Sequence, residues 1–327
     1  MDIIKIEKLV KQYDESKKAL TNITFEVKEG ECFGLLGPNG AGKSTLINIL
    51  TTLIRETSGE CYINGIKITE KPLLARMQFG LVSQNLMVDD KLTAWQNLYL
   101  TARYYHIDKN EIPSRIDQAL QIVNLSEAKD KLVETFSGGM KRRLDISAAL
   151  IHNPKVLFLD EPTVGLDIQT RREIWRYIKQ LQKEKKTSIF LTTHYMEEAD
   201  KLCDRIAILD HGCIKALDTP KNLKKNLEGE LIILKSKKNS KKLKEVFEKK
   251  EYVNKCKIQE DQVILQVQNC EKVLLEILQS IKEEETEIDL LSTKQPTLDD
   301  VYLDITGNSL ESKNQGYVMR NHMHGRR

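Results

Sequence analysis

The run Gly37-Pro-Asn-Gly-Ala-Gly-Lys-Ser-Thr45 follows the apolar stretch Glu31-Cys-Phe-Gly-Leu-Leu36 and opens a helix-periodic segment at 45–53. It fills every fixed position of GxxxxGK[ST], in the strand–loop–helix setting that gives the pattern its meaning. A bare backbone through Gly37, Pro38, Asn39, Gly40, Ala41 and Gly42 lets successive N–H groups turn toward one anion, and the helix N-terminus adds positive dipole. Lys43 supplies a charge for β- and γ-phosphates, Ser44 a hydroxyl oxygen for Mg²⁺, and Thr45 a further phosphate contact. A glycine-rich turn without a ligand is the bland alternative, and with all positions filled it is remote. The chain is expected to bind ATP with Mg²⁺.

Working outward, Val156-Leu-Phe-Leu-Asp160 reads as a buried strand ending in carboxylates, followed by Glu161 and Pro162. A parallel sheet can bring this strand end and Lys43 to one edge, despite their distance along the chain. Asp160 suits a metal ligand. Glu161 suits a general base or a group that orients the attacking water. An acidic turn capped by proline would be a fair reading of the pair on its own.

Further strands are expected at 188–192 and 205–209, with helices at 141–152 and 169–183. Strands interleaved with amphipathic helices imply a mostly parallel sheet covered on both faces. Segments 3–9, 20–27 and 60–63 read as short antiparallel strands, and 85–135 as a largely helical insertion. Pro220 and its polar neighbours mark a boundary near 217–222. Beyond it, strands at 230–236, 253–258, 262–267 and 287–293 and helices at 241–250 and 271–283 follow a βαββαβ order, which suggests a small ferredoxin-like α+β domain. A last helix is expected at 298–303. Residues 307–327 are polar and aperiodic, an expected disordered tail. Within it, His322 and His324 fall short of a closed metal-ligand set.

Lys plus Arg is 51 against 48 for Asp plus Glu, a net charge of +3. That balance argues against a nucleic-acid-coating protein, which would concentrate a basic excess. No apolar run is long enough to span a bilayer, and the charged N-terminus does not read as a secretory signal. The cysteines at 32, 61, 203, 213, 256 and 270 are scattered without a CxxC pair and read as reduced thiols.

Phe136-Ser-Gly-Gly-Met140 stands before a long helical segment. Here the chain resembles the nucleotide-binding subunits of ATP-binding-cassette (ABC) transporters, whose signature is usually LSGGQ. Phe136 and Met140 replace Leu and Gln, and the central Ser137-Gly138-Gly139 is intact. The likeness covers residues 3 to about 218. It implies a P-loop cassette: a RecA-like parallel core, an antiparallel β subdomain and a helical insertion at about 85–152. The accessory domain would follow at 225–306. It further implies that Gln84 links the metal to a transmembrane partner, that His194 is a switch residue near the γ-phosphate, and that Tyr13 stacks on adenine. Gly165-Leu166-Asp167 matches a dimer-contact loop. Lys43, Glu161 and His194 would be the catalytic set, and Ser44, Asp160 and Gln84 the metal set.

Glu161-Pro-Thr-Val-Gly-Leu-Asp167 and the segment Pro296–Gly307 resemble the daunorubicin-resistance subgroup, which works with ABC-2-type permeases. The resemblance implies an ATPase on the cytoplasmic face of the membrane. It would pair with a second copy of itself and power a separately encoded exporter of drugs, lipids or polysaccharide, with no nucleic-acid partner. A soluble cassette ATPase in translation or DNA repair is the alternative; a single cassette without long heptads or a basic arm disfavours it.

Overall fold

The computed structural model describes all residues except 15–16, 226–228, 237–238, 285 and 308–327, and leaves the side chains of 17, 184 and 185 undescribed. The tail from 308 onward, with His322 and His324, therefore lies outside the described residues. The chain divides between Thr219 and Pro220 into two compact units. Among the described residues no helix is long and apolar enough to cross a membrane.

The first unit runs β1 (Asp2–Asp14), β2 (Lys17–Lys28), β3 (Cys32–Leu36), α1 (Lys43–Leu50), β4 (Ser58–Ile63), β5 (Ile66–Lys67), α2 (Pro72–Arg76), β6 (Phe79–Val82), α3 (Ala94–Tyr104) and α4 (Ile112–Ile122). It continues through α5 (Gly138–Leu150), β7 (Val156–Asp160), α6 (Ile168–Lys185), β8 (Ser188–Thr193), α7 (Met196–Leu202), β9 (Arg205–Asp210) and β10 (Cys213–Asp218). A six-stranded sheet has the order β10-β9-β3-β8-β7-β6, parallel throughout except for the β9–β10 hairpin. Its central strands β3, β7 and β8 are buried at every residue. That is why they read as continuous apolar runs instead of alternating ones. A four-stranded antiparallel sheet, β2-β1-β4-β5, lies beside it. Phe25 of β2 stacks on Phe33 of β3 at 4.9 Å between centroids, and Phe33 on Phe190 of β8 at 5.6 Å, so one aromatic column joins the sheets. Fully burying each such ring is worth roughly 1.5–3 kcal/mol.

The first hairpin is longer than its apolar pattern suggested. It reaches Asp14 and Lys17, because ladder hydrogen bonds continue where the side chains have already become polar. Strand β6 carries no legible apolar pattern of its own, being four residues long and containing a glycine. A Cβ at Gly80 would stand 2.0 Å from the Ala149 carbonyl oxygen, so the glycine lets helix α5 lie directly on the strand. The insertion is less helical than expected. Only α3 and α4 precede α5, with single 3₁₀ turns at Ser126–Ala128 and Val133–Thr135. The Asn97 side chain accepts from the Asp89 N–H at 2.8 Å and donates to its carbonyl at 3.0 Å, fixing the preceding segment as a loop.

The second unit contains α8 (Pro220–Lys225), β11 (Glu230–Lys235), α9 (Ser240–Phe247), β12 (Val253–Gln259), β13 (Gln262–Val267), α10 (Cys270–Glu283), β14 (Leu290–Lys294) and α11 (Leu298–Thr306). Its sheet is antiparallel in the order β12-β13-β11-β14, the ferredoxin-like arrangement of a βαββαβ chain. It has its own core, with Ile232, Leu234, Leu243, Phe247, Leu265 and Ile277 fully or almost fully buried. All six cysteines of the chain are free thiols.

Candidate active site

The parallel core sets β8 between β3 and β7, so the loop leaving β3 and the carboxylates ending β7 face each other across one strand. Gly42 holds φ 112°, and a Cβ there would meet the Ala19 carbonyl oxygen at 2.8 Å; only glycine takes that turn into α1. Lys43, 4% exposed, donates to the carbonyl oxygens of Gly37 at 2.8 Å and Pro38 at 3.2 Å. Its Nζ also lies 3.1 Å from Glu161 Oε1. Burial pulls the Lys43 ammonium below its ordinary range, against the opposing charges of Glu161 and Asp160.

Glu161 turns the chain sharply at φ 50°. A left-handed conformation in a non-glycine residue costs roughly 1–2 kcal/mol, and such strain concentrates at functional sites. The Glu161 Oε2 atom lies 3.2 Å from His194 Nδ1, so the carboxylate sits between an ammonium and an imidazole. Burial, the largest single influence, pushes this carboxyl upward, but His194 and Lys43 together outweigh it and leave it below the usual carboxylate range. Asp160 behaves oppositely: burial raises it, assisted by the Glu161 charge, while Thr192 and Ser44 hydroxyls hold it down. Thr192 fixes both residues, since its Oγ1 donates to Asp160 Oδ1 and accepts from the Glu161 N–H at 3.1 Å. Two neighbouring carboxylates are thereby given different environments.

Tyr13, Asn39, Gly40, Gly42, Lys43, Ser44, Thr45, Gln84, Glu161 and His194 line one cleft of about 950 Å³. The Tyr13 hydroxyl is 3.4 Å from Thr45 Oγ1, and Lys11 Nζ stands 5.0 Å from the Tyr13 ring centre. Gly37, Pro38 and Ala41 shape the loop without lining the cleft. Ser44 and Gln84 line the cleft, whereas Asp160, 9% exposed, does not and is reached through the Ser44 hydroxyl; hydroxyl, amide and carboxylate oxygens are hard donors of the kind Mg²⁺ takes together with phosphate oxygens. Among the described residues no cluster of three or more His, Cys, Asp or Glu side chains forms an all-protein metal cage.

Ser137, Gly138 and Gly139 do not line the cleft. Ser137 caps helix α5, its hydroxyl accepting from the Met140 N–H at 3.3 Å. Ser137 and Gly138 are exposed, while Gly139 is buried. Of the aromatics in the insertion, Trp95 and Tyr99 stack on one another at 5.0 Å and Tyr105 stacks on His152 at 3.8 Å, whereas Tyr104 is 80% exposed.

Lys18, Ala19, His211 and Gly212 line the cleft outside every sequence motif. Lys18 and His211 enter the cleft from β2 and the β9–β10 turn, through tertiary packing that no local motif announces. Arg142, buried on α5, does not line the cleft but holds the loops that do. Its guanidinium donates to the carbonyl oxygens of Pro162 at 2.8 Å, Ser83 at 2.6 Å and Gln84 at 3.3 Å, and pairs with Asp145 at 3.3 Å. It ties the signature helix to the loops that carry Gln84 and Glu161. A lone arginine within an amphipathic pattern gives no hint of this.

A family profile described as ABC transporter matches residues 20–164, and one described as the C-terminal domain of DrrA1-3-like ATP-binding proteins matches 219–306. The chain is 36% identical over 312 residues to the daunorubicin resistance ATP-binding protein DrrA2 of Streptomyces coeruleorubidus, covering 94% of this chain and 96% of that protein. It is 37% identical over 315 residues to the linearmycin resistance ATP-binding protein LnrL of Bacillus subtilis strain 168, covering 94% and 99%. A solved dimeric ATP-binding cassette, in a post-hydrolysis state with ADP and Pi, is 29% identical with a TM-score of 0.59, covering 66% of this chain and 98% of that one. Nucleotide-binding cleft, cassette topology and end-to-end likeness agree: the chain belongs to the ABC-transporter ATPases, in the daunorubicin-resistance group of their ATP-binding subunits.

Proposed function

We propose that this ATPase powers a separately encoded ABC-2-type permease, an exporter of drug, lipid or polysaccharide cargo, from the cytoplasmic face of the membrane. The observation that carries the catalytic part is the Glu161 carboxylate, held at a strand end 3.1 Å from Lys43 and 3.2 Å from His194. In this reading Glu161 orients the attacking water and accepts its proton. Its lowered proton affinity keeps it ionised and ready at neutral pH. Lys43 exchanges its carbonyl partners for the β- and γ-phosphates, and His194 holds the γ-phosphate end. Tyr13 offers a ring face to adenine. Ser44, Asp160 and Gln84 would hold Mg²⁺, which neutralises charge on the phosphates.

The exposed Ser137 and Gly138, with Gly139, stand outside the cleft at a helix N-terminus, suited to close over nucleotide held by a second copy. Two copies then form two composite sites, and loss of the γ-phosphate loosens the pair. The exposed Leu86, Met87, Leu100 and Tyr104 around Gln84 and α3 support permease docking there. The resistance functions named in the relatives, and a likeness that continues through the C-terminal unit, support export.

Glu161→Gln tests the catalytic reading. ATP binding should survive within a few-fold and turnover should fall by at least about 10²-fold; turnover close to wild type removes the general base. Co-purification of the tagged chain with an ABC-2-type membrane protein from native membranes tests the partnership.

A further inference from the structure

Helix α10 packs on the C-terminal core through Cys270, Ile277, Ser280 and Ile281. Beside this buried face it carries a second, exposed stripe: Glu271, Leu275, Leu278 and Lys282. Leu275 is 77% exposed and Leu278 is 44% exposed. The spacing alternates four, three and four residues, the seam of a heptad. Single exposed leucines are ordinary. This pair is set apart by its ends, one acidic and one basic.

The stripe is complementary to itself in one orientation only. A two-fold axis passing between Glu276 and Ile277 lays two such helices antiparallel. Leu275 then faces Leu278 of the partner subunit, and Glu271 faces Lys282 of the partner subunit. Because the contact is isologous, every pair occurs twice. A parallel arrangement would instead oppose Glu271 to its own copy and Lys282 to its own copy, which like-charge repulsion disfavours. The geometry points to α10 as a docking surface for α10 of a second copy of this chain. This deepens the pairing proposed above and rests on it.

One short helix crossing buries far less than the roughly 1,200–2,000 Å² of a stable interface. The contact therefore works by addition, as a second and weaker contact in an association that nucleotide drives. The C-terminal unit would thus set how long the closed state lasts.

The test uses the full chain and charge exchange. Glu271 and Lys282 lie about three turns apart on the same helix, too far for a pair within one chain. Dimer dissociation constants are measured by sedimentation with and without Mg-ATP, for the natural chain, Glu271→Lys, Lys282→Glu and the double variant. Each single change replaces two attractive pairs by two repulsive ones and should weaken the dimer about tenfold at low salt. The double variant should return to within about threefold of the natural chain, and 0.5 M salt should shrink all differences. Leu275→Asp should weaken association more than either charge change. ATP-dependent dimers that ignore every substitution, or a double variant as weak as the singles, overturn the α10 contact alone. A chain that stays monomeric with nucleotide overturns both this contact and the pairing beneath it.

Discussion

Replacing Arg142 by methionine removes one side chain and disturbs three segments at once. Arg142 and Asp145 are 4% and 3% exposed. The guanidinium is the ion-pair partner of Asp145 and the donor to the carbonyls of Pro162, Ser83 and Gln84. Methionine fills similar volume, so the loss is almost purely polar. Breaking a buried ion pair by removing one partner costs about 3–5 kcal/mol, because the other charge stays behind. For a unit of this size each kcal/mol moves the melting temperature by about 2–4 °C, so Arg142→Met should melt roughly 6–20 °C lower. Turnover should fall further than stability explains, since the Glu161 loop is no longer tethered to α5 and small misplacements cost on the order of 10²-fold. Burial already pushes the Asp145 carboxyl up to about 6, against the pull of Arg142. Without Arg142 it rises further. Below both values Asp145 is neutral in either folded protein and the electrostatic part of the loss vanishes; above both it is fully present. The deficit of Arg142→Met should therefore be smaller at pH 5 than at pH 8. Asp145→Asn added to the variant keeps an acceptor for the Met87 N–H, which Asp145 now serves at 3.3 Å. It should restore about 1–3 kcal/mol. Thermal and urea unfolding of the four proteins in this cycle give the answer. A single variant within about 1 kcal/mol of wild type, or an Asp145→Asn effect that merely adds, rules out the buried pair as the tether.

Lys43→Ala should weaken nucleotide binding at least about tenfold, since it removes the cation from the phosphate cradle; unchanged affinity by calorimetry argues against that cradle. His152 is held down to about 4, first by burial, and among the described residues its Nδ1 has no hydrogen-bond partner while its Nε2 bonds the Phe79 carbonyl oxygen at 3.0 Å. A carbonyl only accepts, so Nε2 carries the proton and Nδ1 has nowhere to donate a second. The unfolded histidine titrates near 6.5, so its contribution is full above that value and is lost as pH falls toward 4, roughly 3 kcal/mol in all. Urea midpoints at pH 7.5 and 5.0 should fall more steeply for the natural chain than for His152→Gln; parallel slopes would contradict the assignment. Gly80→Ala forces a Cβ to within 2.0 Å of the Ala149 carbonyl oxygen and should destabilise by at least about 1–3 kcal/mol, whereas an unshifted melting curve would show that α5 does not lie so close to β6.

The sequence alone determined the elements whose chemistry is local. The phosphate loop needs small residues and a lysine at fixed offsets, so Gly37–Thr45 declared itself without any knowledge of the sheet. The continuous apolar runs of β3, β7 and β8 announced strands buried on both faces, and the order of elements after Pro220 announced a βαββαβ unit. The tertiary structure decided everything that depends on residues meeting from distant parts of the chain. It alone placed β8 between β3 and β7, brought Glu161 between Lys43 and His194, and made Arg142 a tether for two loops. It also found β6, whose glycine reads locally as a breaker and is required only because Ala149 presses against it. Periodicity reports which face of an element is buried; it carries no record of what covers that face. Long-range partners are chosen by packing and hydrogen-bond satisfaction, and these exist only once the chain has closed on itself.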